Sequence, residues 1–417
     1  MPCEIPCVAP RPAAVCASLL VSKEISRTRL IVNQAINGDP TLITLERALH
    51  ELRCGRAIYY RDSRASVDRS AGWLLAGTET ASASLMAQMQ RHGTSNLALV
   101  LTRQRVATLG LDPPATSTAT SDSDAVVLQL RQPMDATAVR ALAGLEPLTT
   151  GKPPLGAVQS ALPDASFNGV IALAKRARLL PALLAITAVE STAEALLEVS
   201  AEQLDQLTSS ASSKLERISE ARVPLAGSED CRLVLFRDVS TAAEHVAILI
   251  GTSDPDTPTP VRLHSACLTG DLLGSLRCDC GDQLRTAVRQ LAAAGGGVLL
   301  YLAQEGRGIG LANKLRAYAL QDTGLDTLQA DRSLGFNADE RQYQCAADML
   351  RQLGLTRIAL FTNSPQKIAA LRGAGIEVVS DQRLLGGINR HNIRYIHAKR
   401  EHAGHLIPEV DLENAAK

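Results

Sequence analysis

The chain carries no net charge: 43 Lys and Arg balance 43 Asp and Glu in 417 residues. Without a global positive field, neither nucleic acid nor an anionic lipid surface is drawn to it, and any anion must be held locally. Long apolar runs are missing as well. No uncharged stretch approaches the roughly 18 residues a membrane helix needs, so the chain reads as soluble and cytoplasmic, with no membrane partner. A basic start followed by an apolar core is absent from MPCEIPCVAPRPAAVCASLLVSKEISRTRL, where acidic Glu4 comes early. Residues 1–30 therefore read as a disordered leader rather than a signal peptide. No internal repeat is visible. The nine cysteines are odd in number and not spaced like a disulfide framework, which favours reduced thiols, some of them metal ligands.

The length suffices for two domains, each with its own core. Leu45, Ala48, Leu49 and Leu52 recur at helical spacing from Thr44 to Cys54, Gly55 stops the helix, and RAIYY follows as a strand. PPATSTATSDSDA, from Pro113 to Ala125, has the composition of a mobile surface loop. A second helical region is expected from Ala193 to Arg222, with a domain boundary near Arg222. Beyond it, strands at CRLVLFRD, HVAILIG, VRLHSA, VLLYLAQ and RIALFT alternate with helices from Asp282, through Leu311 to Tyr318, through Tyr343 to Leu350, and at PQKIAALRGAG. The fold class is mixed α/β (α+β), in two domains, the second carrying a mixed sheet.

The densest chemistry lies in CLTGDLLGSLRCDC. Cys267, Cys278 and Cys280 can converge on one ion if the intervening segment turns back, which Gly270 and Gly274 allow. A structural zinc site usually fills four positions with Cys or His, and three protein ligands leave room for water, the arrangement of a hydrolytic zinc. Free buried thiols, or a closed site completed by His264, remain open alternatives.

Three segments, VRLHSACLTGDLLGSLRCDCGDQL, QEGRGIGLANKLRAYALQDTGLDT and LGFNADERQY, together resemble GTP cyclohydrolase II, the zinc enzyme that opens riboflavin biosynthesis. The similarity runs from about Val223 to about Leu406. It implies a catalytic domain over residues 223–408, followed by a flexible tail at 409–417. The implied reaction is opening of the guanine imidazole ring of GTP, with loss of formate and pyrophosphate, to a diaminopyrimidinone ribosylamino phosphate. The resemblance marks Cys267, Cys278 and Cys280 as Zn²⁺ ligands, Asp339 as a proton acceptor, Arg341 as a proposed nucleophile and Tyr318 as an active-site tyrosine. It marks Arg262, Leu263, His264, Ser265, Ala266, Gln283, Glu305, Gly306, Arg307, Thr327, Thr362 and Lys367 as nucleotide contacts. Mg²⁺ arriving with the triphosphate and a homodimer are implied in the same way.

Local chemistry agrees in part. Asn337 and Glu340 have the form of a capping box that would place Asp339 and Arg341 in a first helical turn, where phosphate is favoured. DER alone reads equally as a solvated helix start. Glycines 306, 308 and 310 permit close backbone approach to a ligand, with Glu305 available to a base edge and Arg307 to phosphate. Ser364 can cap a helix with Pro365 at its first position, leaving Thr362 and Lys367 near its N-terminus. A guanidinium stays protonated, so electrostatic stabilisation of leaving pyrophosphate is a simpler role for Arg341 than attack.

The sequence departs from the commoner family pattern at Ala266, Ala303, Asp331 and Arg332, where Glu, Arg and Asn-His are usual. ALHELRCGRAIYYRD, TRQRVATLGL and IALAKRARLLPALL resemble dihydroxybutanone phosphate synthase, which implies a synthase-like domain over residues 31–222. Its acidic cluster is reduced to RDSRASVDRSAG, keeping Asp62 and Asp68 without a glutamate, and its Arg-Gly-His-Thr-Glu segment is replaced by DASFNG. The first domain is therefore expected to have lost synthase activity.

Overall fold

The computed structural model describes residues 39–62, 71–111, 123–131, 136–146, 155–189, 195–209, 215–239, 241–252, 254, 256–404 and 406–407. The expected leader, the tail from residue 409, Asp68 and most of the Ser/Thr-rich stretch lie outside them.

The first half begins with α1 (Pro40–Arg53), four residues ahead of the expected start because Asp39 caps it, accepting the Thr41 N–H at 2.9 Å, and Pro40 preorganises the first turn. Gly55, at φ +71°, ends it. The strands β1 (Ile58–Arg61), β2 (Ala71–Gly77), β3 (Ala98–Thr102), β4 (Ala125–Leu130), β5 (Val158–Pro163), β6 (Ala182–Val189) and β7 (Glu198–Ser200) form one sheet in the order β5-β4-β3-β6-β2-β1-β7. All its pairings are antiparallel except β1 with β7. The helices α2 (Ala83–His92), α3 (Arg103–Thr108), α4 (Ala136–Ala143), α5 (Asn168–Arg176) and α6 (Ala201–Ser209) complete this half.

Period-2 alternation splits β3 between two cores: Ala98 and Val100 face α1 and α5, whereas Leu99 and Leu101 face the opposite side. That opposite side is closed partly by the second half, whose Ile309, Ala317, Ala330, Leu334 and Phe336 join Leu99, Leu101, Val106 and Leu142 in one buried cluster.

The region from Ala193 to Arg222 is not one helix. It contains β7, the nine-residue α6 and the strand β8 (Leu215–Arg222). LERISEAR has helix-forming residues, but β8 pairs antiparallel with β9 (Cys231–Asp238), from Leu215↔Asp238 to Arg222↔Arg232, at a sheet edge. Its charged side chains suit that exposed edge, and pairing overrides propensity.

The second sheet adds β10 (Glu244–Gly251), β11 (Thr259–Ser265), β12 (Gly296–Leu302), β13 (Arg357–Phe361) and β14 (Glu377–Gln382), in the order β14-β13-β11-β12-β10-β9-β8. Helices α7 (Cys280–Ala293), α8 (Leu311–Asp322), α9 (Thr327–Ser333), α10 (Gln344–Gln352), α11 (Pro365–Gly373) and α12 (Ile393–Ala403) surround it. Strands β11, β12 and β13 run parallel, so their C-terminal ends deliver Ser265, Ala303 and Thr362 to one edge, where open parallel sheets bind ligands.

Arg105, 5% exposed, ties the halves together by donating to the backbone carbonyls of Leu142 (2.8 Å), Ala141 (2.7 Å) and Ser333 (2.7 Å). Burial lowers its pKa to about 10, yet it remains charged at neutral pH. Replacing Arg105 with Met would strand three carbonyls, and we expect a loss on the order of 3 kcal/mol in urea unfolding followed by circular dichroism. An unchanged midpoint would show that the contact adds nothing to the joint.

Candidate functional site: a tri-cysteine cluster beside a cationic cavity

Cys267 follows β11, and Cys278 and Cys280 lead into α7, so the segment between must fold back on itself. Gly270 makes this possible: a Cβ there would lie 2.7 Å from the Cys278 sulfur and 3.1 Å from that of Cys267. The three sulfurs lie within 4.8 Å of one another. Among the described residues this is the one group of three or more metal-ligating side chains, and His264 is not part of it. The His264 Nε2 instead meets the Asp271 carboxylate at 3.0 and 3.1 Å, which disfavours a site closed by this imidazole. Three mutually facing thiols, two of them buried and that of Cys280 partly exposed, fit a thiophilic cation such as Zn²⁺.

The surroundings support a negative cluster. Lys314, 8% exposed, donates to the Cys267 sulfur at 3.1 Å, to Thr269 Oγ1 at 2.9 Å and to Glu305 Oε1 at 2.8 Å. Hydrogen bonds from the Cys278 and Cys280 thiols, with the Lys314 charge, hold the Cys267 thiol far below its usual range, and Cys278 is pushed up to about 11 by the same sharing. Asp271 accepts from the Cys267 backbone N–H (2.9 Å) and the Tyr301 hydroxyl (3.0 Å), fixing the turn that presents the first thiol. Tyr318 stands near the cluster, with Arg277 over its ring at 5.1 Å, and burial raises its pKa to about 12.

Cys280 also borders a cavity of ≈ 100 Å³ walled by Arg262, Ser265, Gln283, Arg307, Asp339, Arg341, Thr362, Lys367, Tyr395 and Lys399 among others. Five cationic side chains meet there. Arg262 donates to the Phe361 carbonyl (2.9 Å) and to Gln283 Oε1 (2.7 Å). Lys367 donates to the Leu263 carbonyl at 2.8 Å, while burial and the nearby Arg341 and Arg262 charges hold its pKa well below the ordinary lysine value. Lys399 pairs with Asp279 at 2.7 Å. Arg307 sits at φ +59° and stacks over Tyr395 at 5.6 Å. Arg341 grips Asp339 through Nε at 2.8 Å and Nη2 at 2.6 Å. Burial pushes the Asp339 carboxyl up, but these bonds outweigh it and leave its pKa below the usual value. The Ser265 hydroxyl and His264 Nδ1 are buried without a hydrogen-bond partner.

Several expectations need correction. Asp339 and Arg341 lie in an extended segment, and α10 starts only at Gln344. Half of the expected capping box forms, with the Asn337 N–H donating to Glu340 at 2.8 Å, but the Asn337 side chain accepts from Gln104 instead. Ser364 precedes α11 with Pro365 at its first position, yet its hydroxyl makes no capping bond. Glu305 is engaged by Lys314, the Leu268 N–H (2.6 Å) and the Gly306 N–H (3.1 Å), so its carboxylate faces the thiol side rather than lying open to a base edge. Thr327 opens α9 and does not line the cavity, and Ala266 contributes a backbone bond to the Leu302 carbonyl. Sequence reasoning missed Tyr395 and Lys399; their i, i+4 spacing put both on one face of α12, a readable signal.

A family model described as GTP cyclohydrolase II matches residues 216–383. A GTP cyclohydrolase-2 from Azospirillum brasilense is 40% identical over 371 residues, which is 87% of this chain and 93% of that one. This chain belongs to the GTP cyclohydrolase II family. It is an enzyme of that family, whose members hydrolyse GTP in riboflavin biosynthesis. A GTP cyclohydrolase-2 from Xylella fastidiosa is 39% identical over 385 residues, covering 90% of this chain and 89% of its own length. One from Azotobacter vinelandii is 56% identical over 172 residues, covering 41% of this chain and 83% of its own. A two-domain 3,4-dihydroxy-2-butanone 4-phosphate synthase from A. baumannii aligns over 82% of this chain and 99% of its own, at 15% identity and a TM-score of 0.31. Among the described residues no helix is long and apolar enough to cross a membrane.

Asp331, one of the departures from the family pattern, is 5% exposed, and burial pushes its carboxyl up to about 7. A raised carboxyl pKa in the folded state favours folding at low pH, and that advantage is lost as pH rises toward 7. Asp331→Asn should therefore match the parent near pH 4 and exceed its stability above pH 7 by on the order of 3 kcal/mol, read from urea unfolding at both pH values. Equal stability across the range would show that the Arg307 guanidinium, 3.7 Å from the carboxylate, offsets its burial.

Proposed function

We propose that this chain opens the imidazole ring of GTP, releasing formate and pyrophosphate and leaving 2,5-diamino-6-ribosylamino-pyrimidinone 5′-phosphate. The observation that carries this reading is the meeting of three clustered thiols with a five-cation cavity through the partly exposed Cys280. Cys267, Cys278 and Cys280 would hold Zn²⁺, which supplies Lewis-acid chemistry at the base when bound. Mg²⁺ would accompany the triphosphate.

Arg262, Arg307, Lys367 and Lys399 supply positive charge for the phosphates in a partly desolvated setting, where such contacts are strongest. Thr362, Ser265 and Gln283 offer neutral polar atoms at the same wall. Asp339 is assigned to accept a proton. Burial lowers the Arg341 pKa tendency, but Asp339 outweighs it and raises the value overall. A guanidinium held charged in this way is suited to stabilising pyrophosphate as it leaves and unsuited to attack. The cavity of ≈ 100 Å³ is smaller than ligand clefts of roughly 300 Å³ or more, so it must widen to admit GTP.

Ala266 favours a second reading, in which hydrolysis stops at the formamide because no side-chain carboxylate stands at that position. For residues 31–222 we propose a structural role without synthase activity: DASFNG forms a turn in which Asp164 caps Ser166 at 3.0 Å and then enters α5. A cytoplasmic homodimer accords with the family resemblance.

Purified zinc-loaded protein given GTP and Mg²⁺ should release formate and pyrophosphate in equal amounts. Pyrophosphate without formate would select the second reading, and neither product would refute both. Cys278→Ser should abolish bound zinc and reduce formate release by about 100-fold or more; a metal-free variant that still releases formate would contradict the ligand assignment. Arg341→Lys should lower kcat by about 100-fold with a smaller change in KM, checked by steady-state kinetics.

A further inference from the structure

A second cavity, lined by residues of both halves, lies beside the site. It measures ≈ 700 Å³, within the size range of small-molecule clefts. Arg53, Lys175, Arg176 and Arg178 reach it from the first half and His245 from β10, against the carboxylates of Asp124, Asp238 and Glu340. Its apolar wall is formed by Ile171, Ala172, Leu207 and Phe336. The His245 Nδ1 accepts the Ala303 N–H at 3.1 Å, which leaves the ring proton on Nε2 as a donor.

Backbone strain marks the same place. Among the described residues, three non-glycine residues have positive φ: Arg307 in the nucleotide cavity, and Arg178 (+58°) and Ala242 (+54°), both lining this second cavity. Such conformations cost energy and concentrate where ligands are held.

Two bonds join this cavity to the catalytic segments. Arg178 Nη2 donates to the Ala303 carbonyl at 3.0 Å, two residues before Glu305. Lys175 pairs with Glu340 at 2.9 Å, between Asp339 and Arg341.

We propose that this cavity binds a phosphorylated small molecule of nucleoside-monophosphate size, and that its occupancy alters GTP affinity through Arg178 and Lys175. The phosphate is held by the arginines and the organic part rests on the apolar wall. An anion drawing Lys175 from Glu340, or Arg178 from Ala303, shifts the segments that carry Asp339, Arg341, Glu305 and Arg307.

Calorimetry on the full chain with AMP, ribose 5-phosphate and adenosine tests this, and decides it even if the protein turns over no GTP. AMP should bind saturably at one site per chain, and adenosine at least about tenfold more weakly. Arg53→Ser and Arg178→Gly should each weaken AMP about tenfold, the glycine relieving rather than adding strain, with melting temperatures confirming that both fold. AMP should change GTP affinity at least about twofold, and Arg53→Ser should remove that effect while leaving GTP affinity without AMP unchanged. The proposal is overturned if neither phosphate compound binds at millimolar concentration, if AMP binding ignores both substitutions, if GTP displaces AMP competitively, or if bound AMP leaves GTP affinity unaltered.

Discussion

One face of the first sheet is completed by α8 and α9 of the second half, and the position of the segments lining the candidate site depends on that shared core. Leu99 and Leu101 share one buried cluster with Ala317, Ala330, Leu334 and Phe336. The same helices flank the strained segment carrying Glu305 and Arg307 and the extended segment carrying Asp339 and Arg341. Apolar burial of this kind is non-directional, so it supplies adhesion but no register. Register comes from polar contacts: Arg105 to Ser333, Gln104 to Asn337, and Arg316 to Glu79. This gives a first half without an intact synthase signature a reason to be retained.

The tri-cysteine cluster and the cavity are electrostatic opposites placed side by side. Three thiols favour a cation and are balanced by Lys314, while Arg262, Arg307, Arg341, Lys367 and Lys399 favour a polyanion and are partly balanced by Asp279 and Asp339. Cys280 belongs to both, so the two sites adjoin. Asp271 and Glu305 stabilise the boundary by tying backbone N–H groups of the cysteine turn.

Most of the second half could be read along the chain. Alternating strands and amphipathic helices appeared where periodicity placed them, because each buries one regular face. The failures share one cause: local signals were outbid by distant partners. LERISEAR became an edge strand because β9 offered pairing, and Asn337 gave its side chain to Gln104 of the other half instead of capping a helix. Tyr395 and Lys399 were overlooked because their relevance depends on Asp279 and Arg307, both more than 80 residues away in sequence.

Cysteine spacing and three ordered motifs are properties of the chain alone, and they carried the family of the second half and singled out Cys267, Cys278 and Cys280 as one group. The sequence also has no glutamate in RDSRASVDRSAG, and has DASFNG where the synthase resemblance calls for an Arg-Gly-His-Thr-Glu segment. Tertiary structure alone decided that His264 turns to Asp271, that Glu305 faces Lys314, that Thr327 stays outside the cavity, and that a second cavity opens between the halves. Side-chain partners within hydrogen-bonding distance, unlike periodicity, are set by which segments packing brings together, and no local stretch encodes that choice.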